Sequence, residues 1–301
     1  MKKAILFLCF SMAMQAQDIK VVSGRLERHP EFKSQYVAAR DVAVWLPDGY
    51  SQKETYDVLY MHDGQALFDA NTNWNKQEWR VDDVAGQLIA GKKTRPFIVV
   101  AIWNSGATRH SDYFPQKPFE SLTQKQKDSL YALGGAQPLF AAKVGSDNYL
   151  KFIVKELMPF VEHTYSVKKG KEHTFVAGSS MGGLISMYAL CEYPDVFGGA
   201  ACLSTHWIGT FETKDNPIPK AFQNYLKRNL PSPMTHKIYF DYGDQTLDAV
   251  YEPYQKEVDL ILMAKGYDAR NWTTQKFPGA EHAEHSWAER LDIPLMFLLG
   301  R

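Results

Sequence analysis

Short apolar runs alternate along the chain with stretches whose apolar residues recur every three or four positions. Residues 36–47 read as a first strand, because Val42, Val44 and Leu46 alternate with other positions and the run stops at Pro47-Asp48-Gly49. Residues 57–61 and 96–103 are mostly apolar without alternation, as strands buried on both faces of a sheet are. Between them, residues 79–90 carry Val81, Val84, Leu88 and Ile89 at helical spacing and stop at Gly91. Residues 104–145 lack a sustained period apart from a short helix predicted over 124–133. Irregular stretches of that length in a compact domain often line sites. An amphipathic helix over 149–161, begun by Ser146-Asp147, follows. A strand over 173–177 then leads into a helix over 183–191 that ends before Pro194. Strands at 200–204, 237–242 and 272–277 come next, with a helix at 254–265 closed by Gly266 and a last helix over 283–299 interrupted at Pro294. Strands alternating with helices predict an α/β domain: a mostly parallel central sheet with helices on both faces. No repeat, low-complexity tract or linker divides it.

The N-terminus changes the picture of where the protein works. Met1-Lys2-Lys3, an apolar run to Met14, and Ala16 before Gln17-Asp18 read as a secretory signal peptide over residues 1–16, which implies a secreted or periplasmic protein. Residues 17–301 then form one α/β domain, ample for a self-sufficient core. The full chain balances 34 basic against 34 acidic side chains; losing Lys2 and Lys3 leaves 32 against 34, a net charge of −2. Neither balance favours nucleic acid or an anionic membrane surface as partner. No other run is long enough to span a bilayer. Cys191 and Cys202 lie in apolar surroundings and read as buried free thiols.

Gly178-Ser179-Ser180-Met181-Gly182 carries the chemistry. Strand, G-x-S-x-G and helix in succession make a sharp turn that presents the serine above the sheet. The turn demands small residues, and its strained backbone holds Ser180 outward. The N–H of Met181 then stands at a helix N-terminus, where it can stabilise an oxyanion. A serine hydroxyl needs a base to take its proton. Catalytic groups in such sheets gather at the carboxyl ends of strands. His282, directly after the last strand, is the best-placed base; His285, one turn into the helix, is the reserve. His206 precedes any acid candidate, and His236 lies at the wrong end of a strand. After the strand at 237–242, Asp244 and Asp248 both qualify as the acid, and spacing does not separate them. The loop His62-Asp63-Gly64-Gln65 follows an earlier strand and offers the N–H of Gln65 as a second oxyanion donor.

These pieces resemble the putative-esterase family of α/β-hydrolases, whose members include feruloyl and acetyl-xylan esterases, enterochelin-type esterases and S-formylglutathione hydrolase. The resemblance is carried by Val44-Trp45-Leu46-Pro47-Asp48-Gly49-Tyr50, Met61-His62-Asp63-Gly64-Gln65, Gly178–Gly183 and Gly279-Ala280-Glu281-His282, in the family's order. It implies the α/β-hydrolase fold, Ser180 as nucleophile, His282 as base, and Gln65 and Met181 as oxyanion donors. Thr246-Leu247-Asp248 matches a family pattern that favours Asp248 as acid; Asp244 is a departure from it. It also implies that Trp103, Arg109, Tyr113 and Trp207 line or brace a substrate cleft.

The expected activity is a serine carboxylic-ester hydrolase using no cofactor or metal, with a small-molecule or carbohydrate ester as its partner. Acylated carbohydrate or aromatic acyl esters fit an exported, aromatic-rich site best. Acyl transfer on the same fold and a non-catalytic carbohydrate-binding relative are the competing readings. A metal-dependent hydrolase using Glu281, His282, Glu284 and His285 is disfavoured, since that cluster lacks the H-E-x-x-H or H-x-x-E-H spacing.

Overall fold

A computed structural model describes residues 18–136 and 138–301. Residues 1–16, read from the sequence as a signal peptide, lie outside them. Eight strands form one sheet: β1 (Arg25–Phe32), β2 (Arg40–Leu46), β3 (Asp57–His62), β4 (Phe97–Ile102), β5 (Thr174–Ser179), β6 (Gly199–Leu203), β7 (Lys237–Tyr242) and β8 (Trp272–Lys276), in the order β1-β2-β4-β3-β5-β6-β7-β8. The pairs from β4 to β8 are parallel, while β1 with β2 and β2 with β4 are antiparallel. This order, with its mostly parallel pairing, is the architecture expected of the α/β-hydrolase fold.

Helices α1 (Val81–Ala90), α2 (Arg109–Tyr113), α3 (Gln116–Glu120), α4 (Gln124–Tyr131), α5 (Ser146–Phe152), α6 (Met158–Thr164), α7 (Met181–Glu192), α8 (Ile218–Asn229), α9 (Glu252–Ala264), α10 (Glu284–Ala288) and α11 (Asp292–Leu299) cover the sheet. Alternation along the strands divides the core in two. Val58 and Tyr60 of β3, with Ile98 and Val100 of β4, pack under α5 to α9; Leu59, Met61, Phe97 and Val99 face α1 and α11. Helix α7 is buried from Met181 to Cys191, which explains why its sequence is apolar all round. Cys191 and Cys202 are free and buried.

Five local readings are corrected. Strand β1 was not anticipated: Arg25, Glu27 and Arg28 break any alternation, and their charges suit an edge strand that must resist pairing with another chain. Strand β2 begins at Arg40, four residues later than expected. Helix α8 was missed because its polar face dominates, although Ile218, Ala221, Phe222, Tyr225 and Leu226 make a regular buried stripe. The helix expected over 149–161 contains a π turn at Ile153–Leu157, where Pro159 in the following turn has no N–H to bond the ladder. The last helix breaks around residues 289–291, ahead of Pro294; that proline sits in the first turn of α11, where its missing N–H costs nothing.

Candidate active site

Strand β3 lies between β4 and β5, so the chain leaves it in opposite directions and a crevice opens at the carboxyl end. The loops after β3, β5, β7 and β8 meet there.

Ser180 sits between β5 and α7 with φ 57° and ψ −121°, a conformation that side chains with a Cβ rarely adopt. Its N–H donates to the Leu203 carbonyl at 2.9 Å and its own carbonyl accepts from the His206 N–H at 3.2 Å, which fixes the strained turn from both sides. A Cβ on Gly178 would fall 2.8 Å from the Gly182 backbone, so this glycine is what lets helix approach strand. Gly182 is less constrained, since its Cβ would meet only ordinary contacts at 3.4 Å and beyond. Met181 contributes the first N–H of a twelve-residue helix, a donor with no partner inside that helix.

After β3, Asp63 takes a left-handed conformation with φ 58°. The next turn bonds Ala66 N–H to Asp63 and Leu67 N–H to Gly64, leaving the Gln65 N–H outside both. Gly64 is required here, because a Cβ would lie 2.4 Å from the Trp103 ring. Arg109 holds the loop by a two-pronged bond to Asp63, Nε to Oδ1 at 2.8 Å and Nη2 to Oδ2 at 2.6 Å, and Asn104 adds a third at 2.7 Å. Burial would raise the Asp63 carboxyl, but Arg109 and Asn104 outweigh it and hold the group below its ordinary value. His62 beneath is fully buried, with Nδ1 sharing a hydrogen bond with Tyr149 at 2.8 Å and Nε2 unpartnered. Burial pushes its imidazole down to about 3.

His282 Nδ1 donates to Asp248 Oδ1 at 2.6 Å. That bond fixes the tautomer and leaves Nε2 as a proton acceptor. The second carboxylate oxygen accepts from Ser204 Oγ and the Gly243 N–H, both at 2.6 Å. Asp244 is placed elsewhere: it is half-buried and accepts from the Gly279 N–H at 2.7 Å, a bond that holds its carboxyl below the ordinary value. His285 turns away and bonds Gln77 at 2.9 Å, while Glu284 accepts from Asn75 at 2.8 Å. The arrangement therefore joins a strained serine, a histidine with a free Nε2 and a buried carboxylate, beside two unengaged N–H groups.

The model of the family described as "Putative esterase" matches residues 37–292. The chain belongs to that family. It is a carboxylic-ester hydrolase. Among curated proteins, the esterase is 24% identical over 270 residues to the uncharacterized protein YbbA of Bacillus subtilis, covering 87% of this chain and 93% of that one. It is 29% identical over 189 residues to an endo-1,4-beta-xylanase/feruloyl esterase of Xylanibacter ruminicola, covering 59% of this chain but only 21% of that longer protein. Its fold is similar to that of a ferulic acid esterase from Anaeromyces mucronatus solved with ferulic acid, with TM-score 0.62, 18% identity and 94% of each chain covered.

The esterase's cavity of about 250 Å³ is lined by Ser180, His282, Gln65 and Arg109 among others. Of the four residues expected at a substrate cleft, only Arg109 lines it. Tyr113 and Trp207 are fully buried and are corrected to supporting positions: Tyr113 accepts from the Asp63 N–H at 3.3 Å, and Trp207 donates to Gln255 at 2.8 Å. Trp103 packs against Gly64 under the loop. Sequence reasoning missed Trp74, Trp79, Asn104, Glu284 and Trp287, which line the same cavity. Trp74 is 88% exposed, yet its loop is ordered: Asn73 beside it is buried and bonds Gln77, and Asn75 bonds Glu284 on α10. A tryptophan flanked by asparagines between a strand and a helix was the available signal. Tyr251, whose hydroxyl bonds His206 at 2.6 Å and lies within reach of Ser180, was also unanticipated.

Proposed function

We propose that the esterase is a secreted enzyme that hydrolyses acylated carbohydrate or aromatic acyl esters through a Ser180–His282–Asp248 triad. The observation that carries this reading is the strained Ser180 turn opening into the same cavity as an imidazole tied to Asp248 at 2.6 Å. Ser180 Oγ attacks the ester carbonyl carbon while His282 Nε2 takes its proton, and the oxyanion is held by the N–H groups of Gln65 and Met181. Collapse breaks the bond to the alcohol oxygen, which takes the proton back from His282 and leaves as alcohol. Water then attacks the acyl-serine, giving its proton to His282; the acid departs and Ser180 recovers its hydrogen. Asp248 keeps the imidazole oriented and stabilises its charged form without itself taking the proton.

The substrate class is supported by the exposed Trp74 at the cavity, which offers a flat apolar face to a sugar or an aryl group. The feruloyl-esterase activity in the name of the Xylanibacter relative is consistent with it. Export is supported by the leader-like residues 1–16. A panel of acetyl, feruloyl and longer-chain esters, each on a sugar and on a simple alcohol, tests the proposal. Highest kcat/KM on sugar or aromatic acyl esters is expected; a clear preference for long aliphatic acyl chains on simple alcohols would overturn the substrate class.

A further inference from the structure

We propose that Ser204 is a positioning residue for the catalytic acid, its single hydroxyl proton directed onto Asp248 by Trp287 and Arg290. The inference rests on the reading of Asp248 as the partner of His282. Ser204 is the residue after β6 and is fully buried. Its Oγ has three polar neighbours: Asp248 Oδ2 at 2.6 Å, Trp287 Nε1 at 2.9 Å and Arg290 Nη2 at 3.2 Å. An indole N–H and a guanidinium can only donate, and an ionised carboxylate can only accept. The hydroxyl has one hydrogen, so it has one place to go. Both of its lone pairs are taken by the donors, and its proton points at Asp248.

The cation behind it is itself held firmly. Arg290 pairs with Asp241 through Nε at 3.2 Å and Nη2 at 3.0 Å, and donates to the Ser286 carbonyl at 3.2 Å. Asp241 is fully buried and also accepts from Tyr239 at 3.0 Å. Arg290 therefore acts on Asp248 through one intervening oxygen. A direct arginine–Asp248 pair would compete with His282 for the carboxylate; the interposed hydroxyl leaves Oδ1 to the imidazole. Oδ2 is occupied by Ser204 and the Gly243 N–H, so the carboxylate has no reason to rotate.

The backbone supplies an independent observation. Ser204 has φ 42°, in the left-handed region that favours glycine. A side chain kept at such a position is explained by what its hydroxyl does, since the backbone alone would be better served without it.

The test uses Ser204→Gly and Ser204→Ala in the mature enzyme, with Ser180→Ala alongside and a chromogenic acetyl ester as probe. Glycine removes the hydroxyl while suiting the backbone, so this variant remains folded. Turnover is expected to fall roughly ten- to a hundredfold in both, the range set by one hydrogen bond to a charged group, with KM little changed. Without Ser204, negative charge concentrates on Oδ1 and stabilises the imidazolium, so the acid limb of the kcat/KM profile moves to higher pH. Arg290 and Asp241 face Asp248 across Ser204. Tyr251 packs against His282 with His206 behind it, and Glu284 and the Arg109–Asp63 pair line the cavity. None of these is altered, so a shifted limb reports the Ser204 bond. Unchanged turnover in both variants, or lost turnover with an unshifted limb, would overturn the proposal. Activity surviving in Ser180→Ala would instead bring down the triad reading on which it rests.

Discussion

Replacing Asp248 by asparagine should silence the enzyme through the tautomer of His282 rather than through lost packing. In the native site Oδ2 accepts from the Gly243 N–H at 2.6 Å, and a backbone N–H cannot reverse its role. The asparagine amide must therefore keep its oxygen toward Gly243 and turn its NH₂ toward His282 Nδ1. Nδ1, which now donates to Asp248 at 2.6 Å, would be forced to accept, moving the imidazole proton to Nε2. A histidine protonated at Nε2 cannot take a proton from Ser180. The same inversion in a serine triad elsewhere costs about 10⁴-fold in turnover, or about 5 kcal/mol of transition-state stabilisation. Asp244→Asn should cost less than about threefold, because that carboxylate is bonded to the Gly279 N–H at 2.7 Å and not to His282. Turnover of a chromogenic acetyl ester, with circular dichroism to confirm folding, decides the matter. A loss below about tenfold in folded Asp248→Asn, or a larger loss at Asp244, would refute the reasoning.

The other predictions follow from the same geometry. His282→Ala should lose turnover by three orders of magnitude or more, whereas His285→Ala, whose ring is turned to Gln77, should retain at least about a tenth; initial rates compare them. Trp74→Ala should raise KM about three- to tenfold for an acylated oligosaccharide while leaving the methyl ester of the same acid nearly unaffected, and equal effects on both would contradict a stacking role. Acidification should reveal the buried His62. Its folded value of about 3 lies below the unfolded 6.5, so its contribution is intact above pH 6.5 and is lost progressively as pH falls from 6.5 toward 3. Thermal melts across that range should therefore fall more steeply for wild type than for His62→Gln, and parallel curves would contradict this.

What could be read from the sequence was what strong local constraints dictate. Residues 57–61 and 96–103 are apolar because both sheet faces are covered, and the strands appear within a residue or two of that pattern. The turn at Ser180 was legible because the crossing of β5 and α7 tolerates no Cβ at Gly178. What the pattern could not give were facts of tertiary contact. Spacing left Asp244 and Asp248 level; the loop's return through Gly243, which could not carry a Cβ against the Ala280 carbonyl, turns only Asp248 inward. Tyr113 and Trp207 were expected to line or brace the cleft only through the family resemblance, and burial shows them supporting the loops from below. Trp74 went unnoticed because its neighbours are polar and its loop is ordered by side chains distant in sequence, Glu284 above all. Ser204 and Arg290 are 86 residues apart and carry no local signature.

The central claim is that Ser180 is the nucleophile, and active-site labelling tests it most directly. A fluorophosphonate probe added to the native enzyme, followed by peptide mapping, should place one phosphonyl group on Ser180. A good ester substrate should protect against labelling, and Ser180→Ala should take up no label while remaining folded. Labelling of Ser179 or of another residue in native enzyme, or undiminished hydrolysis by unlabelled Ser180→Ala, would contradict the account.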